Sequence, residues 1–230
     1  MEKTPEEKRK ENTKKGCLGL IGIVVLVGIG ALLLCDEAGP STAPAPPITE
    51  APVAYHVETK EDISMANAKR FAWYVVVEEP ATSEQLKAVA ENAVERAKAE
   101  VKFNAIMIFM YDYAEFVGYS GYTLGRATFA PGGDWSQAAS VDAGDYDKMS
   151  FSWDLKEKDW SKQLTPQEAE VWAAWQEAIA KVWASYTEAE LADPKTMPDE
   201  KKITNQIADE FGMSPEEVDA VLLKQLSWCY

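Results

Sequence analysis

The sequence predicts an α+β protein held on a single transmembrane helix, with a helical extension at its C-terminus. Three observations carry that reading. An uncharged, proline-free run fills residues 17–35. A strand, a long amphipathic helix and a second apolar strand follow one another between Phe71 and Tyr111. From Thr165 onward, N-cap signals and helical apolar spacing recur to the end of the chain.

The apolar run comes first. As a helix, residues 17–35 span roughly 28 Å, against a hydrocarbon core about 30 Å thick. Lys3, Lys8, Arg9, Lys10, Lys14 and Lys15 precede it, whereas Asp36 and Glu37 follow it and the next base is Lys60. A lysine and arginine excess marks the cytoplasmic flank, so the tail 1–16 is expected inside and the rest outside. A cleaved signal peptide competes poorly, since its apolar core is shorter, about 7–15 residues. The A-x-A triplet Ala43-Pro44-Ala45 is followed by Pro46, a poor cleavage context. Leu32-Leu33-Leu34-Cys35 resembles a lipobox, but Leu34 stands where a small residue belongs. Glycines at 16, 19, 22, 28 and 30 never fall four apart, so the G-x-x-x-G dimer motif is absent.

Residues 36–52 hold prolines at 40, 44, 46, 47 and 52 among small polar residues. Such a segment is a spacer, with a reach of roughly 50 Å at about 3.1 Å per residue.

From Val53 the side chains alternate. Val53, Tyr55 and Val57 share one face and Ala54, His56 and Glu58 the other, which predicts a half-buried strand. Phe71 to Val77 reads as a second strand, apolar on both faces and stopped before Pro80. Thr82-Ser83-Glu84-Gln85 is a capping box. Behind it Leu86, Val89, Ala90, Ala93, Val94, Ala97 and Val101 form one helical stripe. Ala105 to Tyr111 is a third, central strand, and Tyr122 to Ala130 a fourth, ended by Pro131-Gly132-Gly133. A helix between two apolar strands implies a crossover and parallel pairing. One strong helix for about four strands predicts a two-layer domain over residues 53–155, with the helix covering one face of a mixed sheet.

Several of these residues also carry a resemblance. Tyr55-x-Val57, Asp62-Ile63-Ser64, Arg70, Thr82-x-x-Gln85-Leu86 and Ala127-x-x-Ala130-Pro131-Gly132-Gly133-x-Trp135 resemble a bacterial and phage family catalogued as domain of unknown function 4875. The resemblance covers about residues 53–150. It implies a small envelope protein, carries no assigned activity and transfers no functional residue.

The segment from Asp134 to Trp160 reads as a loop rich in aspartate and aromatics. Thr165-Pro166-Gln167-Glu168 then opens a helix, with proline in its first position. Its apolar stripe is Val171, Trp172, Trp175, Ile179, Val182, Trp183 and Tyr186, and Asp193-Pro194 ends the element. A helix from Pro198 to Phe211, a turn at Gly212 and a last helix capped by Ser214 make a hairpin, completing an extension over residues 156–230. Ile203, Ile207, Val218, Leu222 and Leu226 are its expected core.

Charge and cysteine usage exclude several functions. Lys and Arg total 23 against 38 Asp and Glu, a net charge of −15, and six of the bases precede the anchor. So acidic an ectodomain repels phosphate backbones, and no nucleic-acid partner is expected. The three cysteines, at 17, 35 and 229, form no disulfide framework and no metal spacing. One histidine, His56, rules out H-E-x-x-H zinc chemistry, and no G-x-S-x-G elbow is present. No cofactor is expected.

Four constellations remain. Ile207 to Val218 matches the spacing of a helix-turn-helix, but its second helix opens on Glu216, Glu217 and Asp219 where a DNA reader needs donors. A structural hairpin is the stronger reading. Asp142, Asp145 and Asp147 form the densest acidic loop, a candidate cation site without EF-hand spacing. Asp112, Glu115, Asp134 and Asp154 offer acid pairs for a hydrolase, as any acidic chain does. Trp135, Tyr146, Trp153 and Trp160, with Phe151, are candidate stacking residues for a sugar or peptide; buried instead, they seal the second face of the sheet. The sequence therefore predicts no catalytic residue. It favours a non-catalytic binding module on the bacterial cell envelope, anchored in the lipid bilayer by residues 17–35 and facing an envelope protein or glycan. An envelope hydrolase is the alternative, and a membrane-tethered helix-turn-helix regulator a more distant one.

Overall fold

A computed structural model describes residues 53–119, 121–193 and 196–229. The tail 1–16, the apolar run 17–35 and the spacer 36–52 lie outside the described residues. Among the described residues, no helix is long and apolar enough to cross a membrane.

The domain is α+β, and its sheet is mixed. It has five strands rather than four, in the order β1 (Tyr55–Asp62), β2 (Arg70–Val77), β3 (Ala105–Tyr111), β4 (Gly125–Pro131) and β5 (Met149–Leu155). β2 and β3 pair in parallel, with Tyr74 opposite Phe109, and every other neighbour is antiparallel. The crossover between them is helix α1 (Ser83–Glu100), as expected. Thr82 Oγ1 accepts from the Gln85 N–H at its start while the Gln85 side chain accepts from the Thr82 N–H. β5 emerges from the stretch read as loop, and β4 begins at Gly125, three residues after Tyr122.

Strand alternation divides the sheet into two faces. Trp73, Val75, Ile106, Ile108, Met110 and Ala127 turn toward α1 and meet Leu86, Val89, Ala93, Val94 and Ala97, all buried. Truncating a side chain such as Trp73 to Ala here costs about 3–5 kcal/mol, transfer and cavity together.

Among the described residues, the opposite face is covered chiefly toward its two ends. At one end Val76 and Tyr111 pack with Phe116 and Leu164 and with three helices: α2 (Pro166–Ser185), α4 (Glu200–Phe211) and α5 (Pro215–Cys229). A short helix, α3 (Glu188–Ala192), joins α2 to α4. At the other end Ala105 and Ala130 pack with Ala68, Ala138 and Trp135, the last two from the 3-10 turn Trp135–Ser140.

The helical layer follows its caps. Thr165 and Glu168 form the capping box of α2, and Glu168 also receives Lys224 of α5 at 2.7 Å. Gly212, at φ 66°, ends α4 in the left-handed conformation that spares only glycine a Cβ clash. Two stripes differ from expectation. Of the expected α2 stripe, Val171 and Trp172 are buried, Trp175, Ile179 and Val182 are half-buried, and Trp183 is exposed. On α5 the buried row is Val218, Val221, Gln225 and Trp228. Leu222 is half-buried and Leu226 is 56% exposed. The helix is rotated so that Trp228 reaches the α1-side core and meets Trp160 at 5.5 Å.

Candidate functional site

Between its two covered ends, the face opposite α1 carries an aromatic row. Tyr74 on β2 stands in register with Phe109 on β3, their ring centroids 5.2 Å apart and 16° from parallel. Phe109 lies 6.2 Å from Tyr122, which precedes β4. All three rings are half-buried, and Met107 and Arg126 share the face and that intermediate exposure. Period-two side-chain geometry explains the row, since residues 107, 109 and 111 of β3 must share a face.

Carboxylates frame it. The Tyr74 hydroxyl donates to Glu61 at 2.9 Å. Burial first, and that carboxylate second, push its pKa up to about 12. The Tyr122 hydroxyl donates to Asp154, whose Oδ2 also sits 3.5 Å from Nη2 of Arg126. Burial and Asp154 raise the Tyr122 pKa as well. Both phenols therefore stay protonated at neutral pH and hold their protons toward carboxylates. The surface these phenols share with Met107 and Arg126 is aromatic ring, thioether and guanidinium.

The aromatics expected to bind do not gather there. Tyr146 packs against Phe103 at 5.0 Å, Trp153 stacks on Phe151 at 4.7 Å, and Trp160 donates its indole N–H to the Ala81 carbonyl at 3.1 Å. These three flank α1 on its own side of the sheet, so they extend that core and leave the second face unsealed. Trp135 alone sits across the sheet, at its covered end, with the Arg70 guanidinium 5.5 Å from its ring.

The acidic candidates are likewise dispersed. The Asp145 N–H donates to the Asp142 carbonyl in a turn. Among the described residues, no three acidic, histidine or cysteine side chains, Asp142, Asp145 and Asp147 included, are grouped to hold a metal ion. Asp134 caps the 3-10 turn through the Ser136 N–H. Asp112 is buried, accepting from Thr123 Oγ1 at 2.7 Å and Gln163 Nε2 at 3.2 Å. His56 lies exposed between Glu78 at 2.9 Å and Glu58 at 3.4 Å. Asp134, Asp112 and the His56 neighbours Glu58 and Glu78 each have a separate local partner.

A cleft of about 490 Å³ opens at the start of α1, lined by Thr82, Ser83, Glu84, Lys156, Lys158 and Trp160. Its two lysines point their ammonium groups at the end of α5 instead, onto the carbonyls of Cys229 and Trp228.

Sequence reasoning missed Tyr74, Phe109 and Tyr122 as a group. The available signal was a strand apolar on both faces in a domain with one strong helix: the second face needed either a cover or a partner.

Compared with known families, residues 50–221 match the family described as Domain of unknown function (DUF4875). The match runs well past residue 150 and takes in α2, α4 and the start of α5. No curated protein and no solved structure matches the chain.

Proposed function

We propose that this chain, which belongs to the DUF4875 family, is a membrane-tethered, non-catalytic binding module of the bacterial cell envelope. In this reading residues 17–35 are the transmembrane anchor, residues 1–16 stay in the cytoplasm and the sheet domain stands outside on the spacer 36–52. The observation that carries the binding role is the half-buried row Tyr74–Phe109–Tyr122, at the margin of the helical layer on the face opposite α1. Its phenols are already donors to Glu61 and Asp154, so an occupant gains chiefly by covering apolar ring surface. An envelope protein with an apolar patch, or a glycan presenting C–H groups, meets that requirement.

The test is a photo-cross-linking residue placed at Phe109 of the full chain in cells. A discrete adduct with an envelope macromolecule is expected there and is not expected from Asn205, an exposed position on α4. Absence of any adduct at Phe109, or the same adducts from both positions, overturns the proposal.

A further inference from the structure

The two edges of the sheet are built differently. β1 carries His56, Glu58, Lys60, Glu61 and Asp62 and a register shift between Val57 and Thr59, both devices that discourage another strand from pairing. β5 has neither. Its register against β4 is continuous from Leu155 to Met149, it holds no proline, and its one charge is Asp154.

The bonding parity of β5 is fixed by its flanks. The Lys156 N–H donates to Leu124 and the Gly132 N–H to Lys148, at 2.9 and 3.0 Å. Alternation between those pairs turns the backbone of residues 150, 152 and 154 inward to β4 and that of 149, 151, 153 and 155 outward. Among the described residues, the Met149 N–H, which donates to Tyr146, is the outward group with a backbone partner. The side chains of the same outward residues, Met149, Phe151, Trp153 and Leu155, form a half-buried apolar row along the rim of the α1-side core, with Phe151 and Trp153 stacked 15° from parallel.

We infer that β5 is the contact edge of a symmetric dimer, in which two copies of this chain pair β5 to β5, antiparallel about Ser152, into one continuous sheet. A second copy fits this edge because the strand is complementary to itself in that register. Phe151 falls opposite Trp153 of the second copy and Met149 opposite Leu155, so outward backbone meets outward backbone and apolar side chain meets apolar side chain. Asp154 falls opposite Ser150, so the one charge on the strand never faces itself. A shift by one residue pairs outward backbone with inward backbone and loses the bonds. This is the isologous arrangement expected of a two-fold interface. The net charge of −15 opposes association at low salt, and screening relieves it.

The experiment uses the full chain purified in detergent. Ser152 is exposed, and on the two-fold axis its side chain faces its own copy. Sedimentation is expected to give a dimer at tens of micromolar that tightens as salt rises. Ser152→Glu and Ser152→Lys, each with unchanged thermal unfolding, are expected to weaken it at least about tenfold, and an equimolar mixture of the two to restore it. Ser152 also lies in a non-hydrogen-bonded pair, whose Cα atoms stand about 4.5 Å apart, within disulfide reach. With Cys17, Cys35 and Cys229 replaced by Ser, Ser152→Cys is therefore expected to cross-link on mild oxidation far more readily than Ser150→Cys. A monomeric wild type, a dimer indifferent to both charges, or equal cross-linking at 150 and 152 overturns the inference.

Discussion

Lys156, one residue past β5, donates from Nζ to the carbonyl of Cys229 at 2.7 Å, bridging 73 residues of chain. Lys158 does the same for the Trp228 carbonyl. The last carbonyls of a helix have no partner within it and carry its negative pole, so two ammonium groups there cap α5 chemically and electrostatically. They also fix the rotation of α5 that buries Trp228.

Replacing both by Met removes the cap and keeps the aliphatic stems. Lys156→Met with Lys158→Met is expected to cost about 1–2 kcal/mol, given the partly buried geometry. Urea unfolding followed by tryptophan emission measures it. A double variant as stable as the wild type shows that the lysines do not hold α5.

Asp112 supplies a pH dependence. Burial raises its pKa above the ordinary aspartate value, against the lowering effect of Thr123 and Gln163. In the unfolded chain the carboxyl ionises first. As pH rises through the unfolded value toward the folded one, the native state alone retains the proton, and stability falls. Asp112→Asn has no such slope. The stability difference between variant and wild type is therefore expected to shift in the variant's favour as pH rises from about 3 to about 7. A constant difference across that range contradicts the burial argument. Asp112→Ala, which strips both donors of their acceptor, is expected to lose about 1–3 kcal/mol at low pH, a loss that narrows as pH rises.

What was legible in the sequence is the set of elements whose signal is local. The capping boxes at Thr82 and Thr165, Gly212 and the α1 stripe each satisfy backbone groups or bury side chains within a few residues. β5 was legible in principle, since Met149-Ser150-Phe151-Ser152-Trp153-Asp154-Leu155 alternates strictly. Its setting among Asp142, Asp145, Asp147 and glycine made the stretch read as loop. The stripe of α5 was not legible: Gln225 and Leu226 differ by one position, and hydropathy favours the leucine. Long-range partners decide instead, because Trp228 packs near Trp160 while Lys156 and Lys158 grip the terminus. The aromatic row was hidden for the same reason, as Tyr74, Phe109 and Tyr122 meet only once three segments are in register.

The α5 rotation yields a paired test. Val218 is fully buried, whereas Leu226 is 56% exposed. Val218→Asp is expected to cost about 4 kcal/mol or more, because a buried charge without a partner has no compensation. Leu226→Asp is expected within about 0.5 kcal/mol of wild type. If the two variants cost the same, the helix faces are assigned wrongly.

Gly125 tests the β4–β5 contact. A Cβ there would stand 2.7 Å from Leu155 Cδ2 and 3.0 Å from the Asp154 carbonyl oxygen, and that oxygen belongs to the backbone and cannot step aside. Gly125→Ala is expected to cost about 1–3 kcal/mol by overpacking. Gly118→Ala, at φ 92°, meets nothing within 4 Å and so lacks any such contact. A Gly125→Ala variant as stable as the wild type would show that β4 and β5 can part without cost.

The proposed orientation rests on six bases before residue 17 and two acids directly after residue 35. Insertion places the basic flank inside, counted within about 15–20 residues of the apolar span. An alkaline phosphatase fused after Tyr230, active only outside the cytoplasm, is therefore expected to be active. Orientation set by charge is also reversible by charge. Changing Lys8, Arg9, Lys10, Lys14 and Lys15 to Gln, and Asp36 and Glu37 to Lys, moves the excess to the other flank and is expected to silence that reporter while a cytoplasmic reporter becomes active. Activity unchanged by the swap would mean that something other than flank charge orients the chain. An inactive phosphatase on the native sequence would put the sheet domain, and the aromatic row on it, inside the cell.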